Sequence, residues 1–194
     1  MNTIARLKKN LEASIQAKRQ LLADEKSLEL FSKAVDVVVD RYQQGGRIYI
    51  AGNGGSAADA QHLAAEFVSK LARDRAPLAA EALTVDSSIV TAIGNDYGYD
   101  QIFSRQLAGK ATIKDVFLGI TTSGNSSNIL KALEQCRLMA VPSIVFSGHD
   151  GGQAQVMADY PIVVPGIATS TIQELHIVLA HTLCECVEVA IFGE

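Results

Sequence analysis

The residues best suited to carry chemistry are a histidine and a glutamate, His62 and Glu66, in the segment QHLAAEF. A separation of four residues places both side chains on one face of a helix. Such a pair can bind a metal ion, or it can set an acid beside a base, and a partly buried carboxylate suits a general base near neutral pH. An amphipathic helix with its polar stripe toward water has the same spacing, so the pair by itself leaves both interpretations open.

A second group of polar residues lies in the apolar C-terminal segment, where Gln173, His176 and His181 occur. On a helix, Gln173 and His181 are displaced by roughly 80°, and the two histidines by roughly 140°. The two histidines therefore do not fit comfortably into one site, and the spacing does not choose between them. Both could also be core or interface residues. His149, in the loop SGHDGG, is expected at the surface.

Small polar residues follow two predicted strands, as GNGGS (52–56) and TTSGNSS (121–127). Glycines let a backbone approach a ligand closely, and Ser56 can cap the helix that follows. In the second loop, hydroxyl and N–H groups surround a helix N-terminus, which attracts anions. Either loop alone could be a capped turn. Neither has the lysine of a Walker motif or the spacing of a dinucleotide fingerprint, so together they favour a compact phosphorylated metabolite.

The chain that positions these residues alternates predicted strands with predicted helices. The strands are RIYIAG (47–52), EALTVD (81–86), DVFLGIT (115–121), PSIVFSG (142–148) and YPIVVP (160–165). Short helices are expected at 87–93 and 99–109, and a long helix closes the chain. This alternation predicts an α/β fold, with a doubly wound parallel five-stranded sheet flanked by helices.

Two further helices are predicted before the first strand. One runs from residue 2 to about 22, and Asp24 is the expected N-cap of the other, which ends at Gly45-Gly46. No linker-like or low-complexity stretch divides the chain. We therefore interpret residues 1–194 as a single domain that includes the N-terminal helices within residues 1–45.

Composition narrows the class of protein. The chain has 194 residues, of which 48% are hydrophobic, so a large buried core is expected. A net charge of −4 and the lack of a basic stripe argue against nucleic-acid binding. No uninterrupted apolar run suggests a membrane span, and the N-terminus does not resemble a signal peptide. The three cysteines lack framework spacing, which indicates reduced, structural thiols in the cytoplasm.

Several stretches resemble the sugar isomerase (SIS) domain and, more narrowly, the phosphoheptose isomerase family. They cover most of the chain from residue 47 onward, and the combination of GNGGSAADAQH with GNDYG and TSGNS is specific to that family among SIS proteins. The stretches are AGNGGSAADAQHLAAEF (51–67), LTVDSSIVTAIGNDYGYDQIFSRQ (83–106), TTSGNSSNIL (121–130), SGHDGG (147–152) and IQELHIVLAH (172–181).

The resemblance implies a role for each matching residue. Glu66 and His181 match the catalytic glutamate and histidine, so the resemblance selects His181 over His176. The positions that hold zinc in some members are matched by His62, Glu66, Gln173 and His181. The positions that bind substrate are matched by Asn53, Gly54, Gly55, Ser56, Glu66, Asp96, Thr121, Thr122, Ser123, Ser126 and Gln173.

The family interconverts sedoheptulose 7-phosphate and D-glycero-D-manno-heptose 7-phosphate, for the heptose of bacterial surface polysaccharide. By this resemblance, Glu66 would take the carbon-bound proton and His181 would exchange a proton with the neighbouring oxygen. One zinc ion per subunit would act as a Lewis acid. A cytoplasmic homotetramer, with active sites where subunits meet, is also implied.

Two other functions stay open at this point. A non-catalytic SIS protein that binds a replication initiator lacks the glutamate equivalent to Glu66. An isomerase for another sugar phosphate is the second alternative, because Ser170-Thr171 stand where most members have a basic residue. Two smaller departures are Thr121, where the family usually has Ser, and Lys70, where many members have Arg.

Overall fold

The computed structural model describes residues 2–193 and centres on a parallel β-sheet. Within these residues the sheet has five strands, in the order β2-β1-β3-β4-β5, as the alternation of elements predicted. All four strand pairs are parallel. The strands are β1 (Ile48–Gly52), β2 (Ala80–Ala82), β3 (Val116–Thr121), β4 (Ser143–Ser147) and β5 (Tyr160–Val163).

Helices cover both faces of this sheet. They are α1 (Thr3–Leu22), α2 (Glu25–Gln43), α3 (Gly55–Val68), α4 (Ser87–Asp96), α5 (Ser104–Lys110), α6 (Ser127–Met139), α7 (Ala154–Met157) and α8 (Thr169–Phe192). Core residues of α2, α3 and α8 share one apolar cluster with one face of the sheet, and those of α5 and α6 share a second cluster with the other face. Helix α1 packs on α8.

Strand β1 shows why these segments are apolar throughout. Ile48 and Ile50 belong to the cluster beneath α2, α3 and α8, whereas Tyr49 and Ala51 belong to the cluster beneath α5 and α6. Successive side chains of a strand point to opposite faces, so a strand covered on both sides has no polar alternation.

The structure differs from the predicted elements most clearly at three places. Strand β2 is shorter than 81–86, because the side chain of Asp86 accepts a hydrogen bond from Ile89 N at 2.9 Å and begins α4. The helix expected at 99–109 is a 3₁₀ turn, Tyr99–Gln101, followed by α5. Helix α7 has a single turn and was not predicted.

The helix ends test three predicted caps. Asp24 is the N-cap of α2 and accepts from Ser27 N at 3.2 Å, and Gly45 just beyond α2 has a φ of +77°. Both were expected. The prediction that Ser56 caps α3 is wrong: the N-cap is Gly54, and Ser56 lies buried in the first turn.

The strand order places a switch point between β1 and β3. Their outgoing connections run to opposite faces of the sheet there, which opens a crevice beyond the carboxyl ends of the strands. The loop GNGGS (52–56) follows β1, and the loop TTSGNSS (121–127) follows β3. Both loops singled out for phosphate binding therefore lie at the place where such folds bind ligands.

Helix α8 is long and apolar enough to cross a membrane by length and composition, with a mean hydropathy of 1.7 over 18 residues. Its buried side chains, among them Ile172, Leu179 and Val187, belong to the apolar cluster under the sheet. The core helix of a soluble protein passes the same test. Hydropathy alone therefore does not identify a membrane span here.

Candidate active site

The structure brings His62, Glu66 and His181 together between α3 and α8. His62 Nε2 lies 3.5 Å from Glu66 Oε1 and 2.8 Å from His181 Nε2. Ligating atoms of the three side chains all lie within 4.8 Å of one another. This is the one such group of histidine, cysteine and carboxylate side chains within residues 2–193.

The two imidazoles of this cluster contact each other directly. At 2.8 Å, one Nε2 must donate an N–H to the lone pair of the other. The half-exposed His62 and the less exposed Glu66, at 46% and 20% of their side chains, leave the cluster open to a ligand from one side.

His176 lies elsewhere, which decides the alternative that helical spacing left open. Its ring is fully buried and 6.2 Å, between centroids, from the ring of Phe146. Among the described residues neither ring nitrogen has a hydrogen-bond partner. Burial lowers the pKa of His176 to about 4, although the nearby backbone of Ser147 partly opposes this effect. His176 is therefore a neutral core residue.

We expect His176 to make the protein sensitive to acid. A folded-state pKa of about 4, against 6.5 for the free side chain, means that the unfolded chain binds the extra proton first as the pH falls. The contribution of neutral His176 to the free energy of unfolding is complete above pH 6.5 and is lost as the pH falls to about 4. At ~1.36 kcal/mol per pKa unit, this loss is about 3 kcal/mol.

Urea unfolding at pH 7 and at pH 4 checks this expectation on wild type and on His176→Gln, which does not titrate. Carboxylates contribute equally to both proteins, so the wild type should lose about 3 kcal/mol more than the variant. Equal losses would show that His176 is not the acid-sensitive group.

Gln173 lies over the beginning of α3. A Cβ atom added to Gly55 would come within 2.4 Å of Gln173 Nε2, so the side chain packs directly on that backbone. Gly55 precedes His62 by two turns of α3. Gln173 is thus on the same side of α3 as the His62–Glu66–His181 cluster, and it closes the end nearest the crevice.

The loop after β3 is shaped by contacts among its own residues. Thr121 Oγ1 and Ser126 Oγ are 3.0 Å apart, and Ser123 Oγ accepts from Asn125 N at 3.2 Å. Ser126 is the N-cap of α6, but its hydroxyl faces Thr121 instead of capping the helix. The first N–H groups of α6 can therefore bind an anion. Thr122 is half-buried and Ser123 is exposed.

A glycine holds this loop against the next one. Gly124 has a φ of +65°, and a Cβ there would lie 2.0 Å from the carbonyl oxygen of Gly151. Its own carbonyl accepts from Ala154 N at 2.9 Å. Any other residue at 124 would both strain the backbone and push the loops apart.

The two loops are joined across the switch point by asparagines. Asn53 and Asn128 exchange hydrogen bonds of 2.9 and 2.8 Å, and Tyr99 Oη donates to Asn53 Oδ1 at 3.2 Å. Asn53 was singled out from the sequence, but its two partners were missed. The asparagine of TSGNSSN that ends the loop motif was a usable signal for Asn128; for Tyr99 we find none.

A small cavity of about 130 Å³ adjoins Asn53 and Gly54 and reaches Tyr99. Asp96, which was expected near the sugar chain, is not among the residues that line it. Asp96 ends α4, is exposed and accepts from Asn95 Nδ2 at 2.8 Å. A larger groove of about 710 Å³, between Asp24 and Pro165, contains none of the predicted site residues.

Comparison with known proteins gives the family. Residues 6–148 match the family model described as SIS domain. A phosphoheptose isomerase of Aneurinibacillus thermoaerophilus is 50% identical over 186 residues, which are 96% of this chain and 94% of that protein. The chain belongs to the phosphoheptose isomerase family.

Two solved phosphoheptose isomerases share the whole fold. The enzyme GmhA from Neisseria gonorrhoeae gives a TM-score of 0.87 at 40% identity, over 95% of this chain and 97% of that one. The phosphoheptose isomerase from Francisella tularensis gives 0.91 at 34% identity, over 96% and 98%. Membership in the phosphoheptose isomerase family confirms the predicted SIS fold and makes the chain a sugar-phosphate isomerase.

One further polar residue of α3, which the sequence did not single out, is Asp59. Asp59 lies one turn before His62, and its Oδ2 is buried without a hydrogen-bond partner among the described residues. Burial raises the pKa of Asp59, while the charge of His62 acts in the opposite direction. Asp59 lies on the same face of α3 as His62 and Glu66, because the three residues are spaced i, i+3 and i+7. That spacing is visible in the sequence and could have identified Asp59.

Proposed function

We propose that this chain interconverts sedoheptulose 7-phosphate and D-glycero-D-manno-heptose 7-phosphate in the cytoplasm. The observation that carries the proposal is the cluster of His62, Glu66 and His181 between α3 and α8, together with the two small-residue loops at the switch point of the same sheet. The first supplies acid and base groups, and the second supplies a place for phosphate. The relatives named phosphoheptose isomerase support the choice of substrate.

An aldose–ketose isomerisation moves a proton between adjacent carbons through an enediol. Glu66 is placed to act as the base, because its carboxylate is mostly shielded from water and faces the cluster. His181 supplies and removes the proton on the neighbouring oxygen. His62 Nε2 lies 2.8 Å from His181 Nε2, so His62 can exchange a proton with His181 between the two transfers.

The phosphate is held at a distance from the reacting carbons. The hydroxyls of Thr122, Ser123 and Ser126 lie in the loop that leads into α6, and they and the first N–H groups of α6 would be the donors. Binding energy from this non-reacting end fixes the position of the sugar relative to Glu66 and His181, which lowers the entropic part of the barrier. Asn53 and Gly54 line the adjoining cavity and are available to the sugar hydroxyls.

The donor set of the cluster fits zinc. Two imidazole nitrogens and a carboxylate oxygen within 4.8 Å form a His₂Glu set, which in zinc enzymes leaves a fourth position for water or substrate. His62, Glu66 and His181 would hold the ion, and Gln173, the fourth predicted ligand, packs on Gly55 two turns before His62. A zinc ion bound there would polarise the carbonyl and hydroxyl oxygens of the sugar.

Zinc content should depend on His62. The protein is purified without added metal and zinc is then supplied. We expect wild type to bind about one zinc per subunit and His62→Ala to bind much less, because the variant loses one of three donors. His149→Ala is the matched control, since that histidine is exposed on a loop outside the cluster. Equal zinc in wild type and His62→Ala by elemental analysis, or no uptake by either, would remove the metal while leaving Glu66 and His181 able to act alone.

The function itself is tested by incubating the protein with sedoheptulose 7-phosphate and identifying the product, with and without a chelator. Formation of the heptose phosphate supports the proposal. Turnover of a different ketose phosphate alone would indicate another substrate, as the Ser170-Thr171 departure allows. No turnover of any sugar phosphate would favour a non-catalytic SIS protein.

A homotetramer is proposed for the assembly. The apolar run VDVVVD (35–40) of α2 packs largely into the core of the subunit. A stripe along α1 remains instead, formed by side chains between 50% and 67% exposed: Ile4, Leu7, Leu11 and Ile15. An apolar helix face of this length is typical of a surface that another subunit covers.

Light scattering at micromolar concentration should find an oligomer for wild type. Leu7→Glu combined with Leu11→Glu places two carboxylates in the stripe and should shift the mass toward smaller species. Leu138→Glu, on an exposed leucine of α6 outside the stripe, should leave the mass unchanged. A wild-type protein that is only monomeric would contradict the assignment.

A further inference from the structure

A buried ion pair joins the segment after α3 to α8. Arg75 Nε donates to Glu188 Oε1 at 2.7 Å, and both side chains are 3% exposed. Burying two charges is unfavourable unless the remaining donors and acceptors are also satisfied. The other hydrogen-bond partners of the guanidinium therefore show which segments the ion pair holds together.

Arg75 caps the C-terminal end of α3. Its Nη2 donates to the carbonyl oxygen of Glu66 at 2.8 Å, and its Nη1 to that of Phe67 at 2.6 Å. Helix α3 ends at Val68, so these carbonyls lack partners within the helix. A cation is also favourable at this negative end of the helix dipole. Arg75 thus fixes the last turn of α3, which is the turn that carries Glu66.

Glu188 belongs to the helix that carries His181. The two residues are seven apart, so they lie on nearly the same face of α8, roughly 10 Å apart along its axis. Glu188 Oε1 also accepts from Leu71 N at 3.3 Å, which ties the segment after α3 to the same carboxylate. One carboxylate therefore connects α8 both to the chain that leaves α3 and to the arginine that caps α3.

Cys184 of α8 lies near both members of this ion pair and near Glu66. It is fully buried, and the charges of Glu188, Arg75 and Glu66 all act on its thiol. Burial raises the pKa of Cys184 to about 12, so the thiol stays neutral and adds no competing charge. The demonstrated link from Glu188 to the Glu66 backbone runs through the guanidinium of Arg75.

We propose that Arg75 and Glu188 are positioning residues for the isomerisation, because they hold Glu66 on α3 and His181 on α8 at their working separation. The roles of Glu66 and His181 rest on the proposed function. Without the cap, the last turn of α3 loses two hydrogen bonds to its carbonyls and Glu66 shifts against His181. A misplacement of about 1 Å in an active site can lower turnover by roughly a hundredfold.

The test replaces the ion pair by apolar side chains of similar size, as Arg75→Met with Glu188→Leu. Removing one partner would leave a buried charge alone, whereas replacing both preserves folding in other proteins. We expect a folded protein whose kcat, per folded subunit and well below its Tm, falls roughly tenfold or more, with KM close to wild type. Arg75→Lys, which keeps the charge but loses the fork, should give a smaller loss of the same kind.

The matched control is Lys110→Met with Glu81→Leu, at an ion pair of 2.6 Å that joins α5 to β2 away from the cluster. Its kcat should stay close to wild type. A purely structural role of Arg75 and Glu188 would lower Tm and leave kcat per folded subunit unchanged. Wild-type kcat in the folded double variant, or in Arg75→Lys should the double variant not fold, would overturn the inference.

A crystal structure of the variant gives a second readout that needs no substrate. The separation of the Glu66 carboxylate and the His181 ring nitrogen, which is within 4.8 Å in the wild type, should change by about 1 Å. An unchanged cluster would overturn the inference. If the wild-type protein does not convert sedoheptulose 7-phosphate, the proposed function fails, while this distance still decides whether the ion pair positions the cluster.

Discussion

Glu66→Gln is expected to lower kcat by at least ~10²-fold, with little change in KM, because the amide keeps the size of the side chain and loses its basicity. The carboxylate lies 3.5 Å from His62 Nε2, is only 20% exposed and is the one carboxylate of the cluster. Steady-state kinetics with sedoheptulose 7-phosphate measures both constants.

The matched control for this substitution is Glu134→Gln. Glu134 is a half-exposed residue of α6 whose one described ion pair, with Lys131, lies at the surface, so the turnover of this variant should equal that of wild type. Near-native turnover by Glu66→Gln would remove Glu66 from the mechanism. A large rise in KM with unchanged kcat would instead make Glu66 a binding residue.

Ser126→Ala should weaken the binding of a phosphorylated sugar by roughly 1.5–3 kcal/mol, the range for a hydrogen bond to a charged group. This corresponds to an affinity roughly 10- to 150-fold lower. The hydroxyl stands at the N-cap of α6 and 3.0 Å from Thr121 Oγ1, so its loss removes one donor and frees another. Ser123→Ala, at an exposed position of the same loop, should have a similar effect.

Calorimetry with the sugar phosphate and with the unphosphorylated sugar separates phosphate binding from a general distortion of the site. The unphosphorylated sugar should bind almost equally to wild type and to both variants. Ser32→Ala, on the exposed face of α2, is the control and should change neither affinity. Equal losses for both sugars would show that this loop does not hold the phosphate.

Glu66 illustrates how far local spacing reaches. A separation of four residues on one helix fixes the neighbourhood of His62 and Glu66 whatever the rest of the chain does. The continuous apolar strands and the small residues after β1 and β3 are local in the same sense, because burial on both faces and a tight strand-to-helix turn each demand particular residue types. These features predicted the sheet, its strand-to-helix loops and two of the three residues of the reactive cluster.

The contacts between distant segments depended on tertiary structure. Periodicity could not choose between His176 and His181, because the choice depends on how α8 is rotated against α3 and the sheet; in the fold one ring meets His62 and the other is buried beside Phe146. Arg75 and Glu188 are 113 residues apart and read as ordinary surface charges in the sequence. Packing buries both side chains, and a buried charge must be paired. The pairing, and with it the hydrogen bond from Arg75 to the carbonyl of Glu66, therefore follows from the tertiary structure alone.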